Sequence, residues 1–173
     1  MQDTKIFRYL ESCLLMAATV ITTGMSGGAG APDPGLPGPY AVGHTTFLLF
    51  DTSRLSDNFP TGRPIPVYVW YPVDPADVGP GTPDAVYPLD PYNHSWPPVT
   101  SSDWEVWGVD HAYQEPAPSS DGPFPLLLHS HGWGGGQIPV VSMHGPRLAS
   151  HGFVVAGVTH MADTGFMNFM DPQ

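Results

Sequence analysis

The chain has 173 residues, room for one domain, and carries 5 Lys+Arg against 16 Asp+Glu, a formal net charge of −11. That charge repels polyanions, which argues against nucleic-acid partners and against charge-driven docking on anionic lipid. With 22 Pro and 20 Gly, much of the chain must be turn and irregular loop, and its 41% apolar residues suffice for a core without being generous.

The first segment reads as an export signal. Lys5 and Arg8 supply a positive start, residues 14–21 a short apolar run, and small residues between 24 and 31 the cleavage points. The run falls short of the roughly 20 residues that span a bilayer, so no stable membrane insertion is expected after its removal. The expected location is secreted or periplasmic. Cys13, the one cysteine, lies in this leader, so the mature chain would have no thiol and its fold would rest on its core or on bound metal. Residues 1–31 are thus read as a signal peptide. Residues 32–39 are read as a linker, because proline fixes φ and lacks a donor. Residues 40–173 make up the domain.

Within it, β-forming residues predict a strand over 44–51 and a second, bounded by prolines, over 66–73. The two are expected to pair antiparallel at the edge of a sheet, where proline is tolerated. Residues 74–122 show no periodicity and read as a loop-rich surface insertion anchored by aromatics such as Tyr87, Trp96, Trp104 and Tyr113. Regular patterning returns at 124–129, an apolar run that predicts a strand buried on both faces. A glycine turn follows, then a helix over 139–151 that Gly145-Pro146 should kink or start late and His151-Gly152 should end. Residues 153–159 predict a second buried strand, completing one parallel β–α–β unit.

The turn His131-Gly132-Trp133-Gly134-Gly135-Gly136 carries the chemistry. Glycines let a backbone bend sharply and leave an N–H pointing into open space, where it can receive the negative charge that develops on a carbonyl oxygen. The N–H of Trp133 suits that role; His131 and Gly132 would shape the turn, and Gly134 would let it pass close to substrate. The competing readings are a glycine turn with no ligand and a phosphate cradle, and the second lacks the spacing of either phosphate-binding glycine motif. The reading requires no cofactor and no metal.

A nucleophile motif G-x-S-x-G occurs once, at Gly24-Met25-Ser26-Gly27-Gly28, inside the leader and ahead of any strand, and is set aside. His129 and His131 would share one strand face. His144, His151 and His160 follow, with no H-E-x-x-H spacing, so ordinary hydrogen-bonded histidines are expected. His160 and Asp163 trail the last strand and read as loop residues. The tail over 164–173 is apolar, with Phe166, Met167, Phe169 and Met170, and would leave a sticky edge.

The runs from Phe124 through Gly135 and from Leu148 through Val155, with Arg63 to Pro72 upstream, resemble the N-terminal part of the α/β-hydrolase superfamily. Within it, the likeness is to platelet-activating factor acetylhydrolase and dienelactone hydrolase-like esterases. The resemblance implies an α/β fold of the hydrolase type in part: an antiparallel strand pair followed by one parallel β–α–β unit. It implies a carboxylic ester hydrolase acting on a small ester or lipid, with an oxyanion donor at Trp133. It also implies a serine, an acid and a histidine that would follow Gln173, so that this chain alone would be an inactive N-terminal fragment. The rival from another class is a secreted, non-catalytic binding domain whose exposed Trp and Tyr in 74–122 stack on sugars or lipids.

Overall fold

The computed structural model describes residues 33, 35–55, 59–87, 99–105, 110–131 and 144–159. Two long strands, β1 (Ala41–Asp51) and β2 (Arg63–Val73), pair antiparallel along their whole length, from Ala41 opposite Val73 to Asp51 opposite Arg63. The helix α2 (Gly145–Ser150) connects β6 (Leu126–Ser130) to β7 (Val154–Val158), and these two strands pair in parallel. β7 also pairs antiparallel with β2, so the antiparallel pair and the β–α–β unit share one sheet. Its order is β5-β1-β2-β7-β6, where β5 is the two-residue strand Tyr113–Gln114, parallel to β1.

The period of two along β2 builds the core. Tyr68 and Trp70 face one side, with Val42, Val155 and Ala149 of α2; Val69, Tyr71 and Val73 face the other, with Val154 and Ala156. Burial of both faces explains the mixed aromatic and branched apolar content of this strand.

Three sequence expectations need correction. The first is the edge position of the strand pair, since β5 and β7 flank it. Pro64, Pro66 and Pro72 therefore sit inside a sheet, and the ladder shows how. In an antiparallel strand a residue's N–H and C=O point to the same side. The Pro66 carbonyl accepts from the Thr159 N–H at 2.9 Å, on the β7 side, and β7 pairs only with Val67–Trp70. All three prolines share that orientation and lie outside the β7 ladder, so no sheet bond is lost.

The second concerns the apolar run 124–129, which is not buried on both faces. β6 is an edge strand and Leu128 is 71% exposed. Third, residues 74–122 are not a surface insertion alone. They supply β5, a small antiparallel pair of β3 (Val86–Tyr87) and β4 (Val99–Thr100), and a short helix α1 (Ser101–Glu105). Ala85, Tyr87 and Ala112 are fully buried in the Trp70 core, which removes Tyr87 from any exposed aromatic platform. Trp96 and the side chain of Trp104 lie outside the described residues.

α2 begins at Gly145 with Pro146 in its first turn, the delayed start expected of that dipeptide. It ends at Ser150, two residues before Gly152, whose φ of +93° suits a residue without Cβ. The Pro/Gly stretch ahead of β1 docks on this helix end. The Gly38 N–H donates to Ser150 Oγ at 2.9 Å, the Tyr40 N–H to the Ser150 carbonyl at 3.1 Å, and His151 Nε2 bonds the Leu36 carbonyl at 2.9 Å. A Cβ on Gly38 would stand 2.1 Å from the Ser150 carbonyl oxygen. Gly38→Ala is therefore expected to undock the stretch and cost about 1–3 kcal/mol, measured by urea unfolding.

Candidate functional site

The carboxyl ends of β6 and β7 stop side by side, Ser130 opposite Val158. The next residue of each, His131 and Thr159, steps off the ladder and is buried, 8% and 5% exposed. The Thr159 N–H is fixed on Pro66, but its Oγ1 has no hydrogen-bond partner among the described residues. A buried hydroxyl left without a partner is costly, and it stands where ligands bind on open parallel sheets. Sequence reasoning placed Thr159 in the last strand and gave it no role; no motif marks it.

Of the predicted turn residues, His131 is described, buried at the first position after β6. Gly132, Trp133 and Gly134 lie outside the described residues, as do His160, Asp163, the G-x-S-x-G match and the apolar tail. The remaining histidines are dispersed. His129 lies in β6, His144 caps α2 without a side-chain bond, and His151 is engaged by Leu36.

A second cluster, unmarked by any spacing in the sequence, joins Ser102, Asp84 and His111. Ser102 Oγ donates to Asp84 Oδ2, and His111 Nε2 lies 3.2 Å from Asp84 Oδ1. These are the residue types of a catalytic triad in the wrong order. A serine nucleophile needs the imidazole between its hydroxyl and the carboxylate. Here the carboxylate sits between the other two, so the cluster ties α1 to the segment before β5. Nearby, Arg147 of α2 grips Asp110 through two bonds, one of 2.6 Å from its terminal nitrogen and one from Nε, and so locks the same segment to the β–α–β unit.

The described site thus consists of two strand ends that finish together, one buried histidine and one unpaired buried hydroxyl. Residues 109–170, which span this unit, match the family model of platelet-activating factor acetylhydrolase, isoform II. The chain resembles an α/β-hydrolase esterase over part of its length. Its sheet has the expected make-up, an antiparallel pair joined to one parallel β–α–β unit. Among solved structures, a ferulic acid esterase from Streptomyces cinnamoneus is similar, with 25% identity and a TM-score of 0.49, covering 72% of this chain. The chain spans only 35% of that enzyme's length. No curated relative matches it.

Proposed function

We propose that this chain is the N-terminal part of an exported carboxylic ester hydrolase and supplies half of its oxyanion hole. The family match across the strand–turn–helix–strand unit carries the reading. It is supported by the two strand ends that finish together beside His131 and Thr159. In this reading the N–H of Trp133 donates to the oxyanion, with His131 and Gly132 shaping the turn and Gly134 giving clearance. A serine supplied by sequence after Gln173 would attack the ester carbonyl of a small or lipid substrate. Its proton would pass to a histidine, and an acyl-enzyme would form with loss of the alcohol. Water then releases the acid.

The 173-residue chain by itself is expected to give no burst with p-nitrophenyl acetate, because the covalent route needs the nucleophile. A burst from the purified chain overturns the division of labour. The coding sequence after Gln173 tests the rest: a continuation with a buried strand running into G-x-S-x-G is expected. A stop codon there, with a folded product, would end the esterase reading.

A further inference from the structure

The end of the β1–β2 hairpin gathers most of the exposed large apolar side chains among the described residues. Leu48, Leu49, Phe50 and Leu55 are 51%, 47%, 55% and 63% exposed, four of the seven large apolar side chains exposed among the described residues. A strand that packs one face hides every second residue. Consecutive exposure of Leu48, Leu49 and Phe50 means that β1 shows apolar side chains on both of its faces here, although Pro66 and Pro64 opposite Leu48 and Phe50 are buried. Scattered exposed leucines need no explanation, but a contiguous apolar tip does.

Where it points is fixed by topology. β1 is antiparallel to β2, and β2 is antiparallel to β7, so the carboxyl end of β1 lies at the same sheet end as those of β6 and β7. Pro66 has Leu48 opposite it on one side and the Thr159 N–H on the other. The apolar tip thus begins level with the candidate site and extends past it. Strands β2 and β7 separate β1 from the open edge at β6, about 14 Å at ordinary strand spacing. Strands added beyond β6 would therefore not cover the tip.

Its charge is equally distinctive. Residues 47–63 hold two Asp and two Arg, net zero, in a chain of net −11, and those two Arg are among only 5 Lys+Arg. The Arg54 side chain is 69% exposed, its Nε 3.2 Å from Asp51, beside the exposed Leu55. An apolar, locally neutral tip with an outward guanidinium suits one partner: the surface of a zwitterionic phospholipid layer. The apolar groups enter the acyl boundary while arginine stays at phosphate level. The chain's overall charge disfavours anionic lipid.

We infer that Leu48, Leu49, Phe50 and Leu55, with Arg54, dock the protein on zwitterionic phospholipid and turn the carboxyl end of the sheet toward the lipid. Only the purpose of that orientation rests on the esterase reading. The test uses no hydrolysis, so the two can fail separately. The full chain is mixed with phosphatidylcholine and with phosphatidylglycerol vesicles and sedimented. Binding to phosphatidylcholine is expected, weaker binding to phosphatidylglycerol, and about a tenfold or greater loss in a Leu49→Ser/Phe50→Ser chain of unchanged melting temperature. As a readout that leaves the other tip residues in place, Leu55→Cys in a Cys13→Ser background carries an environment-sensitive dye, whose emission should shift blue on phosphatidylcholine. Four results overturn the inference: no wild-type binding, binding indifferent to the substitutions, preference for phosphatidylglycerol, or a double variant that instead dissociates a dimer seen by analytical ultracentrifugation.

Discussion

A Trp70→Ala chain is expected to lose roughly 3–5 kcal/mol of folding stability, the usual cost of truncating a buried aromatic. Trp70 is fully buried at the centre of β2, with His44 at 5.1 Å and Tyr87 at 6.0 Å between ring centroids, and its Nε1 donates to Tyr87 Oη at 3.3 Å. It therefore joins three parts of the sequence that are far apart: β1, β2 and the segment holding Tyr87. Whole domains hold only about 5–15 kcal/mol, so the variant should unfold in mild urea. Trp70→Phe keeps most of the packing and loses the N–H donor. It should cost much less, with about 1 kcal/mol of that from the lost bond to Tyr87. Urea unfolding followed by circular dichroism measures both, and a Trp70→Ala chain as stable as wild type would mean that the core lies elsewhere.

The second large effect is on acid stability. His44 is fully buried between Tyr68, Trp70 and Tyr87, and neither ring nitrogen has a hydrogen-bond partner among the described residues. Burial pushes its imidazole from the ordinary 6.5 down to about 3. The unfolded chain takes up this proton below 6.5, whereas the folded chain refuses it until about 3. Between those values the unfolded state binds more protons, so stability falls as pH falls, and the contribution is fully present above 6.5. Over the whole window the loss is roughly 4–5 kcal/mol at most. His44→Phe should remove it. The stability difference between the variant and wild type is expected to shift by about 3 kcal/mol in the variant's favour between about pH 7 and about pH 4. Carboxylates held low by local bonds, such as Asp51 through Ser53, lose stability equally in both chains and cancel. A difference that does not move with pH would show that the histidine is hydrated in solution.

Much of this frame was legible in the residues. Alternating and branched apolar runs disclosed β1, β2 and β7. In the helix read over 139–151, Gly145-Pro146 marked a kink or a late start and Gly152 the stop, because proline favours a first turn and glycine a left-handed stop. What failed was whatever depends on neighbours. The apolar letters of 126–128 look alike whether a strand is central or at an edge, and only its place beside β7 reveals that Leu128 faces outward. The prolines of β2 suggested an edge because sequence does not show which side their missing N–H faces. Ala85, Tyr87 and Ala112 joined the core from a stretch without periodicity, through isolated contacts rather than a repeating face. At the candidate site, the end of β6 was legible from the glycines that follow it. The hydroxyl of Thr159, without a partner among the described residues, was not, since pairing is a property of the folded surroundings.

The position of β7 has a consequence for the order of assembly. β6 leaves the ribosome before β7, yet among the described residues it joins the sheet only through β7, which lies between it and β2. Until Val158 has emerged, β6 has no docking partner in that sheet, and the nascent hairpin must wait with one flank open. The helix in between is only six residues long and too short to hold itself. Closure of this half of the molecule is therefore a late, concerted event, in which strand, crossover helix and returning strand lock together or not at all.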